Sequence, residues 1–144
     1  MARSRFAMIV AALALTSSVA VALTVAPHWS GTIAGKNGAK ITGSAMMMAT
    51  ADGAGTDVMI TLKGETASVT RPWHVHAGSC MKSAGVLGGA RSYTLITVDD
   101  KGNGSSKATL AIAVPDTGSF HVNIHESPAN MSNIVACGDL TTGK

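Results

Sequence analysis

The sequence carries little charge. Of its 144 residues, 13% are charged, and 11 Lys and Arg against 8 Asp and Glu give a formal net charge of +3. Two of the basic residues, Arg3 and Arg5, lie at the extreme N-terminus, so nine basic and eight acidic residues remain beyond them. A nucleic-acid site requires a basic patch or stripe. We therefore expect no nucleic-acid partner.

A long hydrophobic run occurs once, at the N-terminus. Residues 6–15 are ten apolar residues that follow the two arginines, and the small residues at 20–22 suit a signal peptidase. This pattern predicts a signal peptide over residues 1–22, with cleavage as late as Ala26. An uncleaved anchor is the alternative, because the apolar segment is nearly long enough to span a bilayer. We expect a secreted or periplasmic protein with no membrane partner after cleavage.

Cysteine is scarce. The sequence has two, Cys80 and Cys137, and they form no CxxC pair of the kind that binds zinc. In an oxidising compartment they can form one disulfide, which would close a loop of about 58 residues and stabilise the fold by roughly 4 kcal/mol. Two separate buried thiols are the alternative.

Helical periodicity of convincing length is missing after the leader. Short segments rich in Val, Ile, Thr and Met alternate with Gly, Asp and Asn clusters, which is typical of an all-β protein. The candidate strands are residues 31–34, 39–50, 56–63, 73–76, 92–98, 106–114, 119–125 and 134–137. Seven or eight antiparallel strands in so short a chain favour a Greek-key β-barrel or sandwich. We place this domain at residues 39–144, after a segment at 23–38 that is partly mobile, and expect loops at 77–90 and 126–133.

Three consecutive methionines, Met46, Met47 and Met48, lie in one candidate strand. Thioethers are soft ligands that suit Cu(I). Consecutive strand residues point to alternate faces, however, so these three side chains cannot converge on one ion. We expect them to pack in the core.

Histidines alternate with apolar residues in two short segments, Trp-His-Val-His at 73–76 and Phe-His-Val-Asn-Ile-His at 120–125. His74 and His76 therefore share one face of a strand, with Cα atoms roughly 6.6 to 7 Å apart. Two imidazoles at that spacing can tilt onto one metal ion. His125, at the end of its strand, can supply a third nitrogen, and a three-histidine site leaves a position open for water or substrate.

Two further histidines are not expected at this site. His121 shares a face with His125 but lies about 13 Å from it along the strand. His28 lies in the entry segment. We predict that both are surface imidazoles.

These segments resemble the Cu/Zn superoxide dismutase family over residues 39–140. Residues 73–76 look like the family's aromatic-His-Val-His copper motif, and Cys80 follows as its first disulfide cysteine. Residues 122–126 (Val-Asn-Ile-His-Glu) look like the strand that bears the last copper histidine, and 136–140 (Ala-Cys-Gly-Asp-Leu) like the family's terminal Ala-Cys-Gly segment.

The resemblance has direct structural and chemical implications. It implies a Greek-key β-barrel, a disulfide between Cys80 and Cys137, and one copper ion bound by His74, His76 and His125. Superoxide, or a copper donor or acceptor, would then be the partner.

The chain also departs from the family pattern. Residues 81–91 contain no His and no Asp, so the zinc site is expected to be absent, and Ile134 stands where the family has a substrate-guiding arginine. The loop between His125 and Cys137 is short. We therefore expect an exported copper-binding protein with, at most, weak copper-only dismutase activity.

Two other classes of function stay open at this point. One is a metal-free structural or adhesive β-domain that keeps only the scaffold. The other is a zinc-dependent hydrolase that uses the same three histidines, with Glu126 as its general base.

Overall fold

The computed structural model describes residues 28–143. The predicted signal peptide, residues 1–22, and its alternative cleavage position at Ala26 lie outside this range. Among the described residues, none form a helix with the length and apolar character needed to cross a membrane.

The described chain folds into ten β-strands and one short 3-10 helix at Ala90–Ser92. The strands are β1 (His28–Gly35), β2 (Thr42–Ala49), β3 (Thr56–Lys63), β4 (Thr70–Arg71), β5 (Trp73–Ser79), β6 (Lys82–Val86), β7 (Ile96–Val98), β8 (Gly104–Leu110), β9 (Phe120–Ser127) and β10 (Asn130–Gly143). They form one antiparallel sheet in the order β4-β7-β8-β3-β2-β1-β10-β9-β5-β6. The all-β prediction is confirmed.

The two ends of this sheet meet at Pro72. This single residue separates β4 from β5, yet β4 pairs with β7 near one end of the sheet and β5 pairs with β9 near the other. The sheet must therefore curl into a half-barrel. The backbone N–H of His125 in β9 donates to the Pro72 carbonyl over 2.9 Å, which fixes the two ends against each other.

The core lies inside the curl, and strict alternation selects its members. In β3, Thr56, Val58, Ile60 and Leu62 are buried, whereas the residues between them are more exposed. The same period of two puts the apolar side chains of β5 and β9 inward. The side chains at the alternate positions of β5 and β9, including the histidines, therefore lie on the outer face of the sheet.

The strand number differs from the expected seven or eight for two reasons. Pro72 divides one long strand into β4 and β5, and part of the expected loop at 77–90 forms β6 and pairs with β5. The many glycines of this segment led to the prediction of a loop. In the structure, Gly78 has φ +92°, and a Cβ at this position would lie 2.2 Å from the Lys82 carbonyl oxygen. Glycine is what allows this hairpin to form.

The segment 126–133 is also not the loop that was expected. Strand β9 continues to Ser127 and β10 begins at Asn130, so the two strands join in a tight hairpin. Likewise, β1 begins at His28, within the expected entry segment, and it pairs with β2 on one side and β10 on the other.

The methionines of β2 follow the alternation rather than packing together. Met47 is completely buried, whereas Met46 is 37% exposed. The prediction of core packing is thus confirmed for Met47 and wrong for Met46.

The disulfide between Cys80 and Cys137 is present, with 6.0 Å between the two Cα atoms. It joins the turn after β5 to β10, across 57 positions of the sequence. This bond fixes the outer hairpin of β5 and β6 to the body of the sheet.

We expect the double substitution Cys80→Ala and Cys137→Ala to lower the free energy of unfolding by roughly 4 kcal/mol, because the loop it frees is long. Urea unfolding of the variant and of the oxidised unsubstituted protein would measure this. An unchanged free energy of unfolding would show that the disulfide does not constrain the chain.

A buried ion pair fastens the meeting point of the two sheet ends. Arg71 in β4 donates Nε and Nη2 to the Glu65 carboxylate over 2.9 and 2.8 Å, and its Nη1 donates to the main-chain carbonyl of Glu126 in β9. The side chains of Glu65 and Arg71 are 1% and 12% exposed. Arg71 thus holds β4 against β9, directly beside His125.

Substitution Arg71→Met should lower the free energy of unfolding by about 3–5 kcal/mol, because it leaves the Glu65 carboxylate buried without a counter-ion, with only the Thr66 N–H as a donor. The double variant Glu65→Leu with Arg71→Met removes that unpaired charge and should recover much of the loss. Equal losses in urea unfolding of the two variants would show that the buried charge is not the cause.

Candidate metal centre

The structure brings together the three histidines that the sequence singled out. His74 and His76 lie on β5 and His125 on the neighbouring β9, and one ligand atom from each ring lies within 4.8 Å of the other two. His74 Nδ1 and His125 Nε2 are 3.1 Å apart. The ring centroids of His76 lie 5.9 Å from His74 and 6.3 Å from His125. All three imidazoles therefore face one point on the outer side of the sheet.

Main-chain carbonyls orient two of the rings. His76 Nδ1 lies 2.9 Å from the carbonyl oxygen of Ala84 in β6, and His125 Nδ1 lies 2.6 Å from that of Met131 in β10. A carbonyl only accepts hydrogen bonds, so the proton of each ring is on Nδ1 and the lone pair is on Nε2. This is the form in which a histidine binds a metal ion, with its second nitrogen held by an oxygen acceptor.

A buried nitrogen supports the fit of a metal ion here. His76 Nε2 is buried and has no hydrogen-bond partner, although an unsatisfied buried polar group costs about 1–3 kcal/mol. A cation bound by the three rings would provide the missing partner. Imidazole nitrogen suits copper, zinc, iron and nickel, so the residues present fit an ion of this class.

Burial keeps two of the rings neutral. His74 and His125 are 8% and 5% exposed. Burial, and to a smaller extent the charges of His125 and His76, lowers the pKa of His74 to about 4. Burial also lowers the pKa of His125, although its hydrogen bond to the Met131 carbonyl opposes the shift. Ligation requires neutral imidazole, which these two rings provide at neutral pH.

The prediction that His121 is a surface imidazole is wrong. It is fully buried and stacks on His76, with centroids 5.4 Å apart and 27° between the rings. Its Nε2 lies 3.0 Å from the hydroxyl of Ser83 in β6. The strand that covers His121 belongs to the segment expected to be a loop, so its burial was not foreseen. His28 is partly exposed at the start of β1. It lies opposite Gly143 of β10, nine residues along that strand from Ile134, which lies opposite His125.

Tyr93 forms a wall of the site that the sequence did not indicate. Its ring meets His74 edge to face at 5.3 Å, and its hydroxyl donates to the Leu87 carbonyl over 2.9 Å. Burial raises the pKa of Tyr93 to about 12, so the phenol stays protonated. Tyr93 therefore shields and orients His74 and adds no negative charge.

The carboxylate of Glu126 lies in the hairpin of β9 and β10. It accepts hydrogen bonds from the side-chain amides of Asn130 and Asn133, the second over 3.3 Å. These contacts engage the group that a zinc hydrolase would need as its general base.

Comparison of the sequence with models of known protein families and with curated proteins finds no match. The resemblance to the Cu/Zn superoxide dismutase family thus rests on the motifs quoted above. The evidence for the three-histidine cluster is the distances between its ring nitrogens.

Acidification should destabilise the metal-free protein between about pH 6.5 and 4. In this window an unfolded histidine, with its ordinary pKa near 6.5, binds a proton, whereas folded His74 does not until its pKa of about 4. The unfolded state thus binds more protons, and each such histidine removes up to about 1.4 kcal/mol of stability per pH unit.

Urea unfolding across this range, in the presence of a chelator, measures the effect. The slope of stability against pH should become smaller in His74→Leu. A variant with the unchanged slope would show that His74 does not contribute.

Proposed function

We propose that the protein is an exported copper-binding protein of the Cu/Zn superoxide dismutase family, which holds one copper ion at His74, His76 and His125. The observation that carries this proposal is the convergence of three imidazole nitrogens within 4.8 Å. They come from two stretches of the chain that the resemblance identified independently.

The fold supports the proposal in two ways. The chain passes other strands of the curled sheet between β3 and β4 and again between β8 and β9, which is compatible with a Greek-key barrel. The Cys80–Cys137 disulfide is the one that the resemblance implies, and disulfides persist in oxidising compartments outside the cytosol. This agrees with export by the predicted signal peptide.

The donor set favours copper over a hard cation. Three nitrogens and no carboxylate make up the cluster, and imidazole is a ligand of the later transition metals rather than of Mg²⁺ or Ca²⁺. When bound, copper supplies a one-electron couple. The rings of His76 and His125 are held by the Ala84 and Met131 carbonyls, so they would keep their positions in both oxidation states.

Dismutase activity should be low. Dismutation converts two superoxide ions and two protons to O₂ and H₂O₂. The Nδ1–H groups of His76 and His125 point at carbonyl oxygens and not at the site, so the protons must come from solvent. Ile134 stands where the family has its guiding arginine, and the chain beyond the leader is almost neutral, which removes most electrostatic attraction for superoxide.

Copper titration of the purified exported chain tests the proposal. With Cu(II), which thioethers do not favour, we expect one ion per chain and a stabilisation of about 2.7 kcal/mol at 100 times the dissociation constant. His76→Ala should abolish binding because the ion loses a third of its nitrogen ligands. His28→Ala, outside the cluster, is the matched control and should bind as the unsubstituted protein does.

Superoxide decay measured on the copper-loaded chain should be slow but above that of His76→Ala. Absence of any stabilisation by copper would instead favour a metal-free structural or adhesive domain. Copper binding that His76→Ala leaves unchanged would reject the assignment of the site.

A further inference from the structure

Methionine side chains gather on the outer face of β2 and β3, away from the histidines. Met46 in β2 and Met59 in β3 lie directly opposite each other in the antiparallel pairing and are 37% and 40% exposed. Met48 is two residues beyond Met46, on the same face, and is partly exposed. Buried Met47 points to the opposite side. The outward-facing cluster therefore consists of Met46, Met48 and Met59, and Met47 is not part of it.

We propose that Met46, Met48 and Met59 form a surface site for a soft univalent cation, Cu(I) being the biological ion of this class. Directly opposed residues of antiparallel strands have Cβ atoms about 5 Å apart, and residues two apart in one strand are about 6.6 to 7 Å apart. Each methionine has three rotatable bonds before its terminal methyl group, so the three sulfur atoms can reach one point. Thioether ligands select Cu(I) over hard cations.

The polar neighbours of this cluster are engaged with one another. Ser44 and Thr61 share a hydrogen bond of 3.0 Å. Asp57 pairs with Lys107 at 2.8 Å and accepts from Thr109 over 2.7 Å. The charge of Lys107 is therefore balanced beside the site, and the thioether sulfurs are the uncommitted donors of this face. Such a surface suits a soft ion and offers little to Mg²⁺ or Ca²⁺.

Methionines make up most of the exposed large apolar side chains. In residues 28–143 the exposed large apolar residues are Met46, Met59, Met81, Leu95 and Met131. In β3 the branched apolar residues occupy the buried positions and Met59 occupies an exposed one. Packing of the core does not account for a methionine pair on the outer face.

The methionine site is separate from the histidine centre but shares its surface. An open groove runs from Met46 and Met59 across β1 to Asp139 on β10. In the strand register, Asp139 lies opposite His121 of β9, and His121 lies opposite His76 of β5. Strands β2 and β9 are three positions apart in the sheet, or about 14 Å at the usual strand spacing. One ion cannot contact both sites, so a second equivalent must bind.

Silver titration of the full chain, labelled with ¹³C at the methionine methyl groups, tests the proposal. Ag(I) is a soft univalent probe that is not oxidised during the experiment. The methyl signals of Met46, Met48 and Met59 should shift together along one titration curve and stop shifting when one silver ion occupies this site. Met81, which is 94% exposed and stands alone, is the internal control and should not shift with them.

Two sets of variants make the test specific. The triple substitution Met46→Leu, Met48→Leu and Met59→Leu keeps apolar volume on the face and should lose one equivalent of bound silver, whereas Met81→Leu should lose none. His76→Ala should retain the three methyl shifts, which separates this site from the histidine centre.

Three outcomes would overturn the proposal. The first is a shift of all exposed methionines with one weak midpoint, which means adventitious binding. The second is full silver binding by the triple variant. The third is methyl shifts that depend on the protein concentration and not on the silver concentration. Such shifts would show that the face is an interface between two copies of the chain.

Discussion

The antiparallel pairing of β5 with β9 is the interaction on which the three-histidine cluster depends. Trp73 lies opposite Ile124 and Val75 opposite Val122, all four buried, and this hydrophobic contact sets the register. A slip of one residue would turn the apolar side chains outward and the imidazoles inward. The free energy of burying the apolar face therefore also fixes the relative positions of the histidines.

The neighbouring hairpins complete what the register begins. Strand β6 supplies the carbonyl of Ala84 to His76, and the start of β10 supplies that of Met131 to His125. The disulfide fastens the first hairpin to the sheet, and Arg71 fastens the second through the Glu126 carbonyl. The three imidazoles are thus arranged in advance, so binding of an ion would require little reordering of side chains.

Alternation and turn chemistry made much of this predictable. Strand β3 occupies residues 56–63 as expected, and the pattern of His74, His76 and His125 placed them on one face. The β6 hairpin was missed because Gly78 needs a positive φ that composition alone does not distinguish from a loop. Contacts between distant segments, such as that of Arg71 with the Glu126 carbonyl and the burial of His121, depend on strand order, which no local pattern contains.

Strand β10 lies between β1 and β9, and this position constrains how the protein can be made. While residues 130–143 are still in the ribosome, β1 has β2 as its only neighbour and Cys80 has no Cys137 to meet. The nascent chain can form local hairpins but cannot close the sheet, because the contacts that do so are the most distant in sequence. The sheet therefore closes only after residues 130–143 have left the ribosome, and until then the chain holds local hairpins alone.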